Sequence, residues 1–140
     1  LRLEKGFGIW SAEFTQGYTP GMTGMDRWID WEKEQFIGQA AAIKERDGNG
    51  PAQKLVMLEI DADDADASGY EPVWSNDSLV GFVTSGGYGH TLKKSLAMAL
   101  VNNDLANENQ RLKVHVVGVE KDATIIQASP YDPDGTVMRV

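Results

Sequence analysis

The sequence predicts a mainly β protein: a short, α-containing N-terminal segment over residues 1–50, then an antiparallel β-barrel over residues 51–140. Three observations point there. Large aromatic residues crowd the start of the chain but are interrupted by glycine and proline. The run Asp47-Gly48-Asn49-Gly50-Pro51 stops a short helix-forming stretch and marks the best boundary in the chain. Beyond it, short apolar runs alternate with turn residues, the spacing of a small barrel or sandwich.

The N-terminal segment holds Phe7, Trp10, Phe14, Tyr18, Trp28, Trp31 and Phe36. Rings of this size have much to gain from burial and are expected in a core or a pocket wall. Gly6, Gly8, Gly17, Pro20, Gly21 and Gly24 leave no room for a long regular element before residue 24. Residues 38–46, with Ala40, Ala41, Ala42, Lys44, Glu45 and Arg46, are strong helix formers and predict one helix near 38–47. Strands are expected over 54–60, 72–74, 79–84, 96–101, 112–119 and 123–127. Turns are expected at Ser75-Asn76-Asp77-Ser78 and at Glu120-Lys121-Asp122. By propensity alone, Leu92 to Leu100 also suits a helix.

Composition narrows the function. Thirteen Lys and Arg against 21 Asp and Glu give 140 residues a net charge of −8, which argues against a nucleic-acid partner. The absence of cysteine excludes a thiolate nucleophile, a disulfide framework and sulfur-ligated zinc. No apolar run approaches the ~18 residues of a membrane-spanning helix, so no membrane partner is expected. A chain opening on Leu1 rather than Met is expected to be part of something longer, with upstream domains as partners.

Single motifs carry little. Asp64-x-Asp66-x-Ser68-Gly69 has the opening spacing of a calcium loop, but its twelfth position is Ser75 where a bidentate Glu is needed; a solvated acidic loop is favoured. Gly87-x-Gly89 lacks the third glycine of a dinucleotide loop and is read as a tight turn between strands. His90 and His115 show no ligand spacing, no metal ligands are assigned, and no G-x-S-x-G elbow exists. Leu1-Arg2-Leu3-Glu4-Lys5-Gly6-Phe7, taken alone, is an amphipathic helix end closed by glycine, with Glu4 and Lys5 exposed.

Taken in order, that run, Trp10, Tyr18-Thr19-Pro20, Phe36-Ile37-Gly38, Gly81-x-Val83-Thr84-Ser85-Gly86 and residues 92–99 (LKKSLAMA) form a series. The series resembles the C-terminal part of the glycine-cleavage T-protein (aminomethyltransferase) superfamily. Lys5 and Trp74-Ser75-Asn76-Asp77 make it most similar to the folate-binding portion of FAD-dependent dimethylglycine and sarcosine dehydrogenases. The resemblance implies that residues 1–50 finish a folate-binding domain and residues 51–140 form the family's C-terminal barrel. It implies a tetrahydrofolate-binding portion of an enzyme that moves a one-carbon unit from an N-methyl amine to tetrahydrofolate, with FAD held outside this chain. The alternatives are a folate-binding or regulatory module of the same fold, or a glycine-cleavage aminomethyltransferase. A cytoplasmic place is implied, or the mitochondrial matrix in a eukaryote.

Three residues are carried over for folate. Glu4 matches the family glutamate that holds the pterin, and a carboxylate can accept the N–H groups of its 2-amino group and N3. Lys33 falls at a basic position on the pterin side, where many relatives have arginine. Trp10 matches a family aromatic, and either lines the ligand channel or packs in the core. Ser11 and Glu13 depart from the family's usual glycine and aspartate. The family's catalytic aspartate belongs upstream, so no catalytic residue is assigned here. Glu4, so close to the chain end, is expected to fray unless tied down.

Overall fold

The computed structural model describes residues 1–139. Six strands, β1 (Gln53–Ile60), β2 (Pro72–Ser75), β3 (Ser78–Gly89), β4 (Lys94–Asn102), β5 (Arg111–Val116) and β6 (Val119–Ile126), close into a barrel in the order β1-β4-β3-β2-β5-β6. Every neighbouring pair is antiparallel, and closure by β6 on β1 leaves no free sheet edge among the described residues. β5 shows the expected alternation most cleanly: Leu112, Val114 and Val116 point inward while Arg111, Lys113 and His115 stay outside. With Val56, Leu58, Ile60, Val73, Val83, Ala97, Ala99, Val101 and Ile125 they fill the interior.

β4 is buried on both faces from Ser95 to Val101. Its inward residues Ala97, Ala99 and Val101 belong to the barrel core. Leu96 and Met98 face outward and join Met57 and Leu3 in a second apolar cluster on the outer wall. Here the N-terminal segment is seated. That segment consists of a 3-10 turn (Leu3–Lys5), α1 (Pro20–Thr23), a second 3-10 turn (Asp26–Trp28) and α2 (Gln39–Asp47). Thr19 caps α1, accepting from the Met22 amide at 3.2 Å, and its hydroxyl donates to Glu45 of α2 at 2.9 Å.

The strand expected over 96–101 forms as β4, where pairing with β1 on one side and β3 on the other overrides helix propensity. Three local expectations change. Gly87 and Gly89 lie inside β3 rather than in a turn; the chain reverses over residues 90–93. The β5–β6 reversal falls on Val117-Gly118, at φ 49° and 78°, instead of Glu120-Lys121-Asp122. A β-branched residue at positive φ is a turn that composition conceals. The aromatics of the first segment are not core: Phe7, Trp10 and Trp28 are exposed, and Arg46 lies 4.4 Å from the centroid of the Trp31 ring.

Candidate functional site

The outer-wall cluster fixes the Leu-Arg-Leu-Glu-Lys-Gly turn. Leu3 inserts between Met57, Leu96 and Met98, which carries the next residue, Glu4, to the end of the β3–β4 hairpin. Glu4 is 1 % exposed. Its Oε1 accepts the main-chain N–H groups of Thr91 (2.7 Å) and Leu92 (2.9 Å). Its Oε2 accepts the Thr91 hydroxyl at 3.2 Å. Room for the side chain comes from Gly89, where a Cβ would stand 3.2 Å from Glu4 Cγ and 2.9 Å from Leu96 Cδ1. Burial opposes ionisation of Glu4, yet the Leu92 and Thr91 donors outweigh it and hold the carboxyl below its ordinary range. Glu4 is thus a tied-down, ionised carboxylate rather than a frayed end.

Lys5 is buried as well. Its ammonium donates to the main-chain oxygen of Asp132 and pairs with Asp132 Oδ2 at 3.4 Å. The turn ends at Gly6 (φ 69°), where a Cβ would overlap the Ala128 carbonyl, so the C-terminal segment packs directly on it. The Tyr131 amide donates to the Glu4 carbonyl at 2.9 Å. The exposure expected for Glu4 and Lys5 from the isolated heptapeptide fails because both faces of the turn are covered.

Glu13 is the residue whose position the sequence did not announce. It is fully buried, and accepts the Ile9 amide (2.7 Å), the Thr84 hydroxyl (2.6 Å) and the Ser85 hydroxyl (2.5 Å). Thr84 is the extra residue of a bulge between Val83 and Ser85 against β4, and the bulge lets two consecutive hydroxyls reach one oxygen. Arg2 donates to Ser85 Oγ at 3.2 Å, which completes a polar seam between residues 2–13 and the barrel. No local pattern joins Glu13 to the Thr84-Ser85 pair, 71 and 72 positions away in the sequence.

Trp10 is 83 % exposed, with its ring edge-on to Phe14 at 6.1 Å. Lys33 is exposed, and among the described residues its ammonium forms no ion pair. The structure therefore brings Glu4 to the barrel and leaves Trp10 and Lys33 on the open surface of the N-terminal segment. The acidic loop after β1 lines an open cleft of about 740 Å³. Two of its carboxylates have protein partners, Asp64 meeting Lys121 at 2.9 Å and Asp66 accepting from Ser95 at 2.6 Å, and beside the loop Glu59 of β1 pairs with Lys94 at 2.6 Å.

Residues 53–132 match the glycine cleavage T-protein C-terminal barrel domain. The chain is 37% identical over 128 residues to dimethylglycine dehydrogenase, mitochondrial, of Homo sapiens, covering 91% of this chain and 15% of that protein. It is 29% identical over 131 residues to an aminomethyltransferase of Caldanaerobacter subterraneus, covering 94% of this chain and 34% of that protein. The chain thus spans a minor part of the curated relatives it matches. The crystal structure of glycine cleavage system aminomethyltransferase T from Bartonella henselae superposes with a TM-score of 0.85 at 24% identity, over 95% of this chain and 37% of that one, a likeness of fold. Barrel, closure and family match agree, and the chain belongs to the glycine cleavage T-protein C-terminal barrel family.

Proposed function

We propose that this chain is the C-terminal, tetrahydrofolate-binding portion of an enzyme that transfers a one-carbon unit from an N-methyl amine of the dimethylglycine or sarcosine type. Residues 1–50 would finish the folate-binding domain and residues 51–140 form the barrel that braces it. Upstream domains of the same polypeptide supply the rest of the site, including the catalytic aspartate and FAD. The mitochondrial relatives support a matrix location in a eukaryotic parent, and a cytoplasmic one otherwise.

The observation that carries the proposal is the state of Glu4. A pterin presents N–H donors at its 2-amino group and N3, and needs an ionised acceptor held in one place. Glu4 Oε1 is committed to two main-chain amides, whereas Oε2 accepts one hydroxyl at 3.2 Å. A ligand N–H would bond Oε2 without displacing the Thr91–Leu92 anchor on Oε1. Trp10 offers an exposed aromatic face, and Lys33 an exposed cation for the pterin side. When bound, tetrahydrofolate supplies the nitrogen acceptors for the one-carbon unit. The chain's own contribution is to orient the pterin and close one wall against water, so that the acceptor is held near its donor.

In the full-length protein, Glu4→Gln is expected to weaken tetrahydrofolate binding by about tenfold or more, because the charge-assisted bond is lost and an NH2 group faces a donor. Amine oxidation without folate is expected to continue. Titration calorimetry with tetrahydrofolate decides it: an unchanged dissociation constant removes Glu4 from the site.

A further inference from the structure

We infer that Asp132, at the far end of the chain, is a positioning residue for Glu4; the inference rests on the folate site proposed above. The C-terminal segment after β6 runs back across the outer wall and touches the Glu4 turn at three successive points. Ala128 packs its carbonyl against Gly6, Tyr131 donates its amide to the Glu4 carbonyl at 2.9 Å, and Asp132 receives the Lys5 ammonium. Lys5 and Asp132 side chains are 7% and 4% exposed, so the pair is shielded from water and screening by salt is weak.

The carboxylate of Asp132 is itself held. Its backbone is left-handed (φ 49°), and Oδ1 accepts the Thr136 amide (2.8 Å), the Thr136 hydroxyl (2.9 Å) and the Val137 amide (3.3 Å). Oδ2 is left to face Lys5. Adjacent residues on a 3-10 turn cannot rotate independently, because the i to i+3 bonds fix the turn as a unit. Anchoring Lys5 from one side therefore sets the angle at which Glu4 leaves the turn on the other. Leu3 in its apolar seat tolerates a small rotation; the charged pair does not. The tail thus fixes the orientation of the Glu4 carboxylate, and affinity for folate depends on a residue that never touches it.

Asp132→Asn isolates the charge, since Asn tolerates the left-handed backbone and its Oδ1 still accepts from Thr136 and Val137. In the full-length protein its tetrahydrofolate dissociation constant, by titration calorimetry, is expected to rise about fivefold, with the amine KM unchanged. In a Glu4→Gln background the same change is expected to add less than about twofold, because the two act through one group. The neutral pair Lys5→Gln with Asp132→Asn, which leaves no unpaired charge, is expected to recover wild-type affinity within about twofold and guards against a folding defect in the single variant. An unchanged constant in Asp132→Asn beside a weakened Glu4→Gln overturns the inference alone. Additive losses, or no recovery in the neutral pair, also overturn it. No effect of Glu4→Gln overturns the site and the inference together.

Discussion

The barrel and the segment ahead of it draw on similar apolar residues and use them in opposite ways. In the barrel Leu58, Val83, Leu96 and Leu100 are 0% exposed, each facing a neighbour that strand pairing puts in place. In the N-terminal segment Trp10 and Trp28 are 83% and 73% exposed. What fastens that segment is instead charged: Glu4, Lys5 and Glu13 are buried, each on several directional bonds, with Leu3 as the apolar peg. Apolar packing resists removal of volume but permits repacking, whereas a buried carboxylate with fixed donors permits one position. The barrel provides strength, and the polar seam provides the placement that a ligand-binding carboxylate needs.

The contrast can be broken or sharpened by substitution. Leu58→Ala in the barrel interior is expected to cost about 3–4 kcal/mol in denaturant unfolding, from lost transfer energy plus a cavity. Glu13→Ala removes the partner of the Ile9 amide and two hydroxyls, and is expected to cost about 2–3 kcal/mol. Loosening of residues 2–13 by limited proteolysis should accompany it. Trp10→Ala, despite removing the larger side chain, is expected to change stability by about 0.5 kcal/mol or less. A loss at Trp10 comparable to that at Leu58 would erase the distinction between the two regions.

Acid should act on the seam. Glu4 is held below the ordinary carboxylate range by its donors, and Asp132 likewise: burial opposes its ionisation, but Thr136, Val137 and Lys5 outweigh it. A carboxyl with a depressed native pKa binds fewer protons folded than unfolded, so its contribution is complete above the unfolded value of about 4 and disappears as pH falls through the native one. Stability is therefore expected to fall on acidification from about pH 5 downward, and Glu4→Gln to flatten that slope. Equal slopes in both proteins would show that Glu4 is not ionised against its donors.

Much of the barrel was legible because its signals are local. Alternation in residues 112–116, the break at 47–51 and the short apolar runs all survive in the strands observed. Turns decided by rare backbone states were not legible: nothing in Val117 advertises a positive φ, and Gly87-x-Gly89 read as a turn when both glycines lie in a strand and Gly89 makes room for Glu4. The placement of Glu4 was unreadable for a different reason. Its partners Thr91 and Leu92 are 87 and 88 positions away, and those of Lys5 lie 127 away. Family likeness named Glu4, Trp10 and Lys33; the roles of Glu13 and Asp132 emerged only once the chain was folded.

The central claim is that Glu4 is built into the barrel rather than attached to a loose end, and amide hydrogen exchange at Thr91 and Leu92 tests it most directly. Both N–H groups end on Glu4 Oε1 rather than on a strand partner. In the wild-type full-length protein they are expected to exchange as slowly as amides of β4, and Glu4→Gln to speed them by about tenfold or more while β4 amides are unaffected. Exchange of Thr91 and Leu92 at the rate of an open loop in the wild-type protein would contradict the account.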